Sequence, residues 1–240
     1  LADDNYEYGA DAHDYGMRTG LELGRSPEPP REIVTIDDYR LRHAQYKADP
    51  QAQAAHARAA WILTFDDHEV TNDPWEGGAQ NHNDGEGSWA DRKAAALRAY
   101  LEWNPIREPA AGTPLHDAVR RSFRFGRTAA LHMLETRLSA RALQLEYEDI
   151  LSERGTIDPD RLNDPDRRLM GPDQLDWLAG AMTNDAVWQV LGNQVLMARL
   201  VVPDLVSAVG QAAIDAAMPD LADYQQRRLT QMAELWAIQA

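Results

Sequence analysis

The chain contains no cysteine. Disulfides and thiolate metal ligands are excluded within these residues, and the composition is compatible with an oxidising compartment. Positive charge is also scarce: 24 Lys and Arg stand against 39 Asp and Glu, for a net charge of −15. Such a surface repels a phosphate backbone, which argues against nucleic-acid binding, and it suits the binding of cations. No apolar run is long enough to span a membrane, and no signal-peptide pattern is visible. There is no P-loop, no GxSxG and no HExxH, and "GLELG" is not a dinucleotide fingerprint. No internal repeat or low-complexity segment is present.

What is there reads as globular. The chain has 240 residues, of which 44% are hydrophobic, enough to bury a substantial core. Residues 1–9 read as the end of a strand entering a loop, and the Gly- and Pro-rich stretch 10–34 reads as irregular. Thr35 and Asp38 form a capping-box pattern ahead of a helix carrying Ile36, Tyr39, His43 and Tyr46. A short helix follows Asp49-Pro50, with proline at its first position. The run "AWILTF" (60–65) predicts a strand buried on both faces. Residues 66–88 form a long Gly-, Asn- and Asp-rich loop of the kind that usually carries function. Ser88 with Asp91 caps a helix whose face holds Trp89, Ala96, Leu97, Tyr100 and Leu101. "RSFRFGRTAALHML" (121–134) predicts two strands around a Gly126-Arg127 turn. A polar loop covers about 137–170. A helix from Pro172 carries Leu175, Leu178 and Met182; "VWQVLGNQV" (187–195) predicts a buried strand, and 205–240 reads as helical. Alternating strands and helices define an α/β class with a mixed sheet, in one domain over 1–240.

The chemistry concentrates in "FDDHEVTND" (65–73), which follows the predicted strand. In open α/β sheets ligands bind beyond the carboxyl ends of strands. Asp66, Asp67 and His68 stand there, and Asp3 and Tyr6 hold the corresponding place after residues 1–2. Carboxylate, phenolate and imidazole together suit hard or borderline cations such as Fe(III), Mn, Ca or Zn. A histidine beside such a site can give a proton to a leaving oxygen. The plainer reading of each residue is structural: aspartates at a strand end cap turns, and histidines bond to backbone. That reading is preferred for His13, His43, His56, His116 and His132. His82, in "NHNDGEG", lies in the long loop and is a weaker candidate for touching a ligand, and the stretch lacks EF-hand spacing. Asp158, Asp160, Asp164 and Asp166 read as a solvated loop.

Several longer stretches carry a resemblance: "LADDNYEYG", "REIVTIDDYRLRHAQYKADPQAQAAHARAAWILTFDDHEVTND", "WEGGAQNH", "AAALRAYLEWNPIRE", "FRFGRTAALHMLETR", "GPDQLDWL" and "WQVLGNQVLMARL". In this order they resemble the alkaline phosphatase D (PhoD-like) metallophosphoesterase family across nearly the whole chain. The resemblance implies a metallophosphatase sandwich, a mixed sheet flanked by helices. It also implies hydrolysis of phosphate monoesters or diesters by a metal-bound hydroxide, Fe(III) and Ca2+ or another divalent metal as cofactors, and an exported, secreted or periplasmic protein. By the same resemblance Asp3, Tyr6 and Asp67 are metal ligands. His68 contacts the phosphate or leaving group, Asn72 touches metal or phosphate, and Arg137 orients phosphate.

The departures are also informative. The family block "LGDYIYEYG" stands here as "LADDNYEYG", with Ala2, Asp4 and Asn5 substituted. An upstream aspartate and cysteine, and downstream "WDGY" and "GDxH" segments, are not in this chain. The expectation is an incomplete fold carrying about half of a metal centre, with little activity by itself. Two rival readings stay open, a non-catalytic relic of the family and an acidic calcium-binding module.

Overall fold

Thr35 begins the first well-defined element by a reciprocal exchange. Its hydroxyl accepts the Asp38 N–H, and the Asp38 carboxylate accepts the Thr35 N–H at 3.0 Å. These bonds satisfy donors that a helix start otherwise leaves orphaned. The computed structural model describes residues 5–10, 17–146, 149 and 159–197. The expected strand end at residues 1–4, with Asp3, and the expected helical tail at 205–240 lie outside the described residues.

Among the described residues six helices and five short strands follow in chain order: α1 (Met17–Glu22), α2 (Ile36–Lys47), α3 (Pro50–Arg58), β1 (Pro74–Trp75), β2 (Gly78–Ala79), α4 (Trp89–Trp103), β3 (Arg121–Phe125), β4 (Ala129–Met133), α5 (Pro159–Leu162), α6 (Pro172–Ala181) and β5 (Trp188–Gly192). A 3-10 turn, Leu115–Val119, precedes β3. By contact density the chain forms two compact units. The larger holds 1–144 and 166–196, the smaller 145–165 and 197–240. In the smaller unit the described residues form α5, with Arg161 Nη1 4.0 Å from the Asp149 carboxylate.

The larger unit has the expected mixed α/β character. α3 starts on the Asp49 carboxylate, which accepts the N–H groups of Gln51 and Ala52, with Pro50 at the first helical position. α4 starts on Ser88, whose hydroxyl accepts the Asp91 N–H. α4 buries Ala96, Leu97, Ala99, Tyr100 and Leu101 and packs on α2, which contributes Tyr39. With Ile33, Leu63, Phe65, Val70, Ile106, Val119 and Leu138 these side chains form one core. Each large apolar side chain buried there contributes about 1.5–3 kcal/mol. The β3–β4 hairpin turns through Gly126 at φ +57°, a conformation in which a Cβ is disfavoured. β5 pairs with β4 in parallel, giving the sheet order β3-β4-β5. His132 spans it: Nδ1 lies 2.8 Å from the Ser122 hydroxyl and Nε2 2.9 Å from Gln189 Oε1, the structural role expected of it.

Four readings of the sequence are corrected. The stretch 10–34 contains a short helix, α1. "AWILTF" is buried from Leu63 onward but forms no strand among the described residues. Side chains instead take its carbonyls: Arg121 donates to Leu63 O at 2.5 Å and Gln194 to Phe65 O at 2.6 Å. Strand character is a property of a ladder, and an apolar run without a ladder partner satisfies its backbone by other means. "VWQVLGNQV" does form a strand, but not a buried one. Among the described residues β5 pairs with β4 and no other strand, and Trp188, Val190 and Leu191 are exposed. On α6, Leu175 and Met182 are exposed, and the buried positions are Leu178 and Gln174. Gln174 earns its burial by pairing with both peptide groups of Glu135, Oε1 accepting the N–H at 2.8 Å and Nε2 donating to the carbonyl at 2.6 Å.

Candidate active site

The loop after Phe65 closes on itself before it does anything else. The Asp67 carbonyl accepts the N–H groups of Val70 and Thr71, both at 2.8 Å, and the buried Glu69 carboxylate accepts the Asp66 N–H at 2.6 Å. Glu69 is therefore a brace of the turn. The turn aims the Asp66 and Asp67 carboxylates at one side and the His68 ring at another.

On the carboxylate side stands Arg137, supplied by the loop after β4. Its Nε donates to Asp66 Oδ1 at 2.6 Å and its Nη2 reaches Asp66 Oδ1 at 2.5 Å and Asp67 Oδ1 at 3.2 Å. Asp73 Oδ1 lies 3.7 Å from Nη1, and its backbone N–H donates to Asp67 Oδ2 at 3.3 Å. Asp73 holds φ +48°, in the left-handed region that aspartate tolerates better than most residues. The Arg137 loop is itself braced. The buried Glu135 carboxylate accepts the N–H groups of Arg137, Leu138 and Ser139 at 2.8–2.9 Å, and Gln194 accepts the Thr136 N–H at 2.6 Å. Behind it, Arg141 donates to the Pro74 carbonyl at 3.3 Å. Burial, reinforced by the Arg137 charge, lowers the Arg141 pKa against the pull of Asp73, Asp67 and Asp66.

On the imidazole side the organising residue is Glu7, fully buried. Its Oε2 lies 2.7 Å from His68 Nδ1. Its Oε1 accepts from the Asn72 N–H at 2.8 Å and Asn81 Nδ2 at 3.0 Å, with the Thr71 hydroxyl oxygen 3.2 Å away. Tyr6 and Tyr8 flank the ring, with centroids 4.3 and 5.6 Å from that of His68. The Tyr6–Glu7 segment is fixed from below by the buried Arg42, which donates to the carbonyls of Tyr6, Glu28 and Pro29. Burial alone would push the Glu7 carboxyl up. The hydrogen bond and charge of His68, with the bonds from Asn81 and Asn72, outweigh it and hold the carboxyl below its ordinary value of 4.5.

A depressed carboxyl stabilises the folded state above its unfolded pKa, and that contribution is lost as pH falls through the folded value. Denaturant titrations should therefore show stability falling below about pH 4.5, and Glu7→Gln should show a smaller acid loss from a lower starting stability. Equal acid dependence in the two proteins would remove Glu7 from this account.

The described residues among those singled out in the sequence, which exclude Asp3, are thus gathered in two groups joined by the 66–73 turn. Tyr6, His68 and the Asn72 backbone meet around Glu7, and Asp67 meets Arg137. The Asn72 side chain points to Gln80 Oε1 at 2.9 Å. His82 pairs with Glu86 at 3.4 Å beside Arg92, within the scaffold of the long loop. Asp66 was placed with Asp67 and His68 from the sequence but given no role, and Asp73, Glu135 and above all Glu7 were not assigned. Glu7 stands in the quoted "NYEYG", and an acid placed between two tyrosines was the available signal. For a hard cation, Asp67 and Tyr6 are donors of the right chemistry. Their number falls short: among the described residues no three His, Asp or Glu side chains converge as a metal-holding group.

The fold and this cluster define an α/β chain with a loop-built site of carboxylates, guanidinium and imidazole. The family model for PhoD-like phosphatases matches residues 1–237, and the chain belongs to that family. It is 33% identical over 202 residues to alkaline phosphatase D of Bacillus subtilis (strain 168), a match covering 83% of this chain and 32% of that protein. The solved structure described as "Structure of PhoD" aligns with a TM-score of 0.64 at 33% identity, covering 80% of this chain and 34% of the other. The chain thus matches about one third of the length of these relatives.

Proposed function

We propose that residues 1–240 form part of one PhoD-like metallophosphatase domain, in a metal-dependent enzyme that hydrolyses phosphate monoesters or diesters. The observation that carries this reading is the family match over residues 1–237, which includes every residue of the cluster just described. Asp3, Tyr6 and Asp67 would hold the metal, Fe(III) or Ca2+ in the first instance. A bound cation supplies charge neutralisation for the phosphate oxygens and acidifies water into a nucleophile.

The chain's own residues do the rest. His68, turned by Glu7, gives a proton to the departing ester oxygen. Arg137 has five N–H donors; Nε and Nη2 are committed to Asp66 and Asp67, and Nη1, 3.7 Å from Asp73 Oδ1, is the group left to receive a phosphate oxygen. Asn72 sits at the same loop and contacts metal or phosphate. The acidic surface fits a small ester better than a nucleic acid, and among the described residues no helix is long and apolar enough to cross a membrane. We extend the reading to an exported protein, secreted or periplasmic.

A non-catalytic relic is the second reading, favoured by the altered "LADDNYEYG". The larger unit absorbs part of that alteration, since Asn5 is buried with its amide nitrogen 3.1 Å from His43 Nδ1. Metal analysis of protein purified without chelator separates the readings: a stoichiometric transition metal is expected, calcium alone points to a binding module, and no metal points to the relic. Tyr6 gives a sharper check. Iron-loaded protein should show a tyrosinate-to-iron charge-transfer band that Tyr6→Phe bleaches without unfolding the chain, because phenolate is a hard donor suited to Fe(III). A colourless iron-loaded protein, or an unchanged spectrum in the variant, removes Tyr6 from the ligand set.

A further inference from the structure

We infer that Glu7 is a positioning residue that sets which nitrogen of His68 carries its proton and joins His68 to the Asn72 backbone in one rigid unit. The inference rests on the phosphoesterase reading only for its consequence for activity. Its basis is the division of labour between the two oxygens of one buried carboxylate. Oε1 receives two N–H donors, the Asn72 N–H at 2.8 Å and Asn81 Nδ2 at 3.0 Å; the Thr71 hydroxyl lies 3.2 Å away, its one proton turned to the Asn81 carbonyl at 2.6 Å. Oε2 faces His68 Nδ1 at 2.7 Å. A carboxylate is acceptor-only, so Nδ1 must be the donor in this contact. The proton on Nδ1 is thereby fixed, and Nε2, across the ring, is the nitrogen that in the imidazolium form gives its own proton to the departing oxygen.

The donors around Glu7 are placed by other parts of the fold. The Asn81 carbonyl is held by the Thr71 hydroxyl at 2.6 Å and by the buried Arg92 at 2.9 Å. Arg92 in turn bonds Tyr39 and Glu32, which ties the site to α2 and α4. The imidazole rotates little in this setting, because Tyr6 lies 4.3 Å away centroid to centroid. Glu7 has no role at the reacting atoms. It acts through His68 and Asn72.

Glu7→Gln tests this with nearly unchanged shape. An amide has one acceptor oxygen and one NH2 group. Two N–H donors, from Asn72 and Asn81, face the Oε1 side, so the amide oxygen turns there and the NH2 group faces His68. The hydrogen bond then reverses and drives the His68 proton to Nε2. The experiment uses the intact protein with 15N-labelled histidine, His68 being assigned through a His68→Gln variant. Wild type is expected to show a protected Nδ1–H signal, and Glu7→Gln to lose it. On an aryl phosphate, kcat should fall by about 10- to 100-fold with little change in KM, the usual cost of removing a group that orients a working histidine. Glu7→Asp, which keeps an acceptor-only carboxylate, should recover the Nδ1–H signal and part of kcat. A Glu7→Gln protein that keeps its Nδ1–H signal overturns the inference, as does one that loses the signal without losing kcat. Should full-length wild type, as distinct from this chain alone, hydrolyse no phosphate ester, the functional reading fails, and the proton position alone decides the inference.

Discussion

His68→Ala should slow hydrolysis of an aryl phosphate by about 10²- to 10⁴-fold, the range for loss of a general acid, while leaving bound metal in place. The ring stands between Tyr6 and the Glu7 carboxylate, and Nδ1 is committed to Glu7 at 2.7 Å. Removing it takes away the proton donor and leaves Asp67 untouched. The dependence on leaving group distinguishes this role from a structural one. Esters with poor leaving groups need protonation and should lose the most, whereas a good leaving group such as a nitrophenolate should lose least. Asp67→Ala is the contrasting case, expected to lower metal content and abolish turnover on all esters alike. Turnover within a factor of two of wild type in both variants would remove the 66–73 turn from catalysis.

Arg137→Met should lower folding stability by about 3–5 kcal/mol, the cost of stripping one partner from a buried ionic network. Arg137 is the cation shared by Asp66 and Asp67, and both of those carboxylates are only 8% exposed. Without it, two adjacent negative charges face each other in a poorly solvated turn, with Asp73 close by. Methionine keeps most of the side-chain volume, so the loss reports charge more than packing. Denaturant unfolding at neutral pH measures it, and Arg137→Met with Asp66→Asn should recover part of the loss because one orphaned charge is neutralised. A loss below about 1 kcal/mol, typical of solvent-exposed pairs, would mean that the network is effectively solvated. Activity should fall as well, since Arg137 is also proposed to receive the phosphate. The double variant separates the two roles by restoring stability without restoring turnover.

Much of the scaffold is written in short stretches of sequence. Thr35 with Asp38, Asp49 with Pro50, and Ser88 with Asp91 each announce a helix, and each helix starts there. Gly126 announces the hairpin that it turns, at φ +57°. These signals are legible because each bond closes within a few residues and does not depend on what lies elsewhere in the chain. The "FDDHEVTND" loop is legible for a related reason: its density of carboxylates and imidazole is a property of composition over nine consecutive positions.

The rest depended on residues distant in sequence. "AWILTF" has the composition of a buried strand, yet a strand requires a ladder, and its carbonyls are taken by Arg121 and Gln194. "VWQVLGNQV" has the same composition and does pair, but among the described residues on one edge only, and Trp188 is exposed. Arg137 meets Asp66 across 71 positions, and Glu7 meets His68 and Asn81 across 61 and 74. The sequence by itself determined the helix starts, the hairpin, the acidic surface and the loop that holds the candidate chemistry, because local bonds and composition decide them. Only the tertiary structure decided that a glutamate between two tyrosines would sit buried beneath that loop and turn its histidine, because burial and partnership are settled by chain segments that meet only on folding.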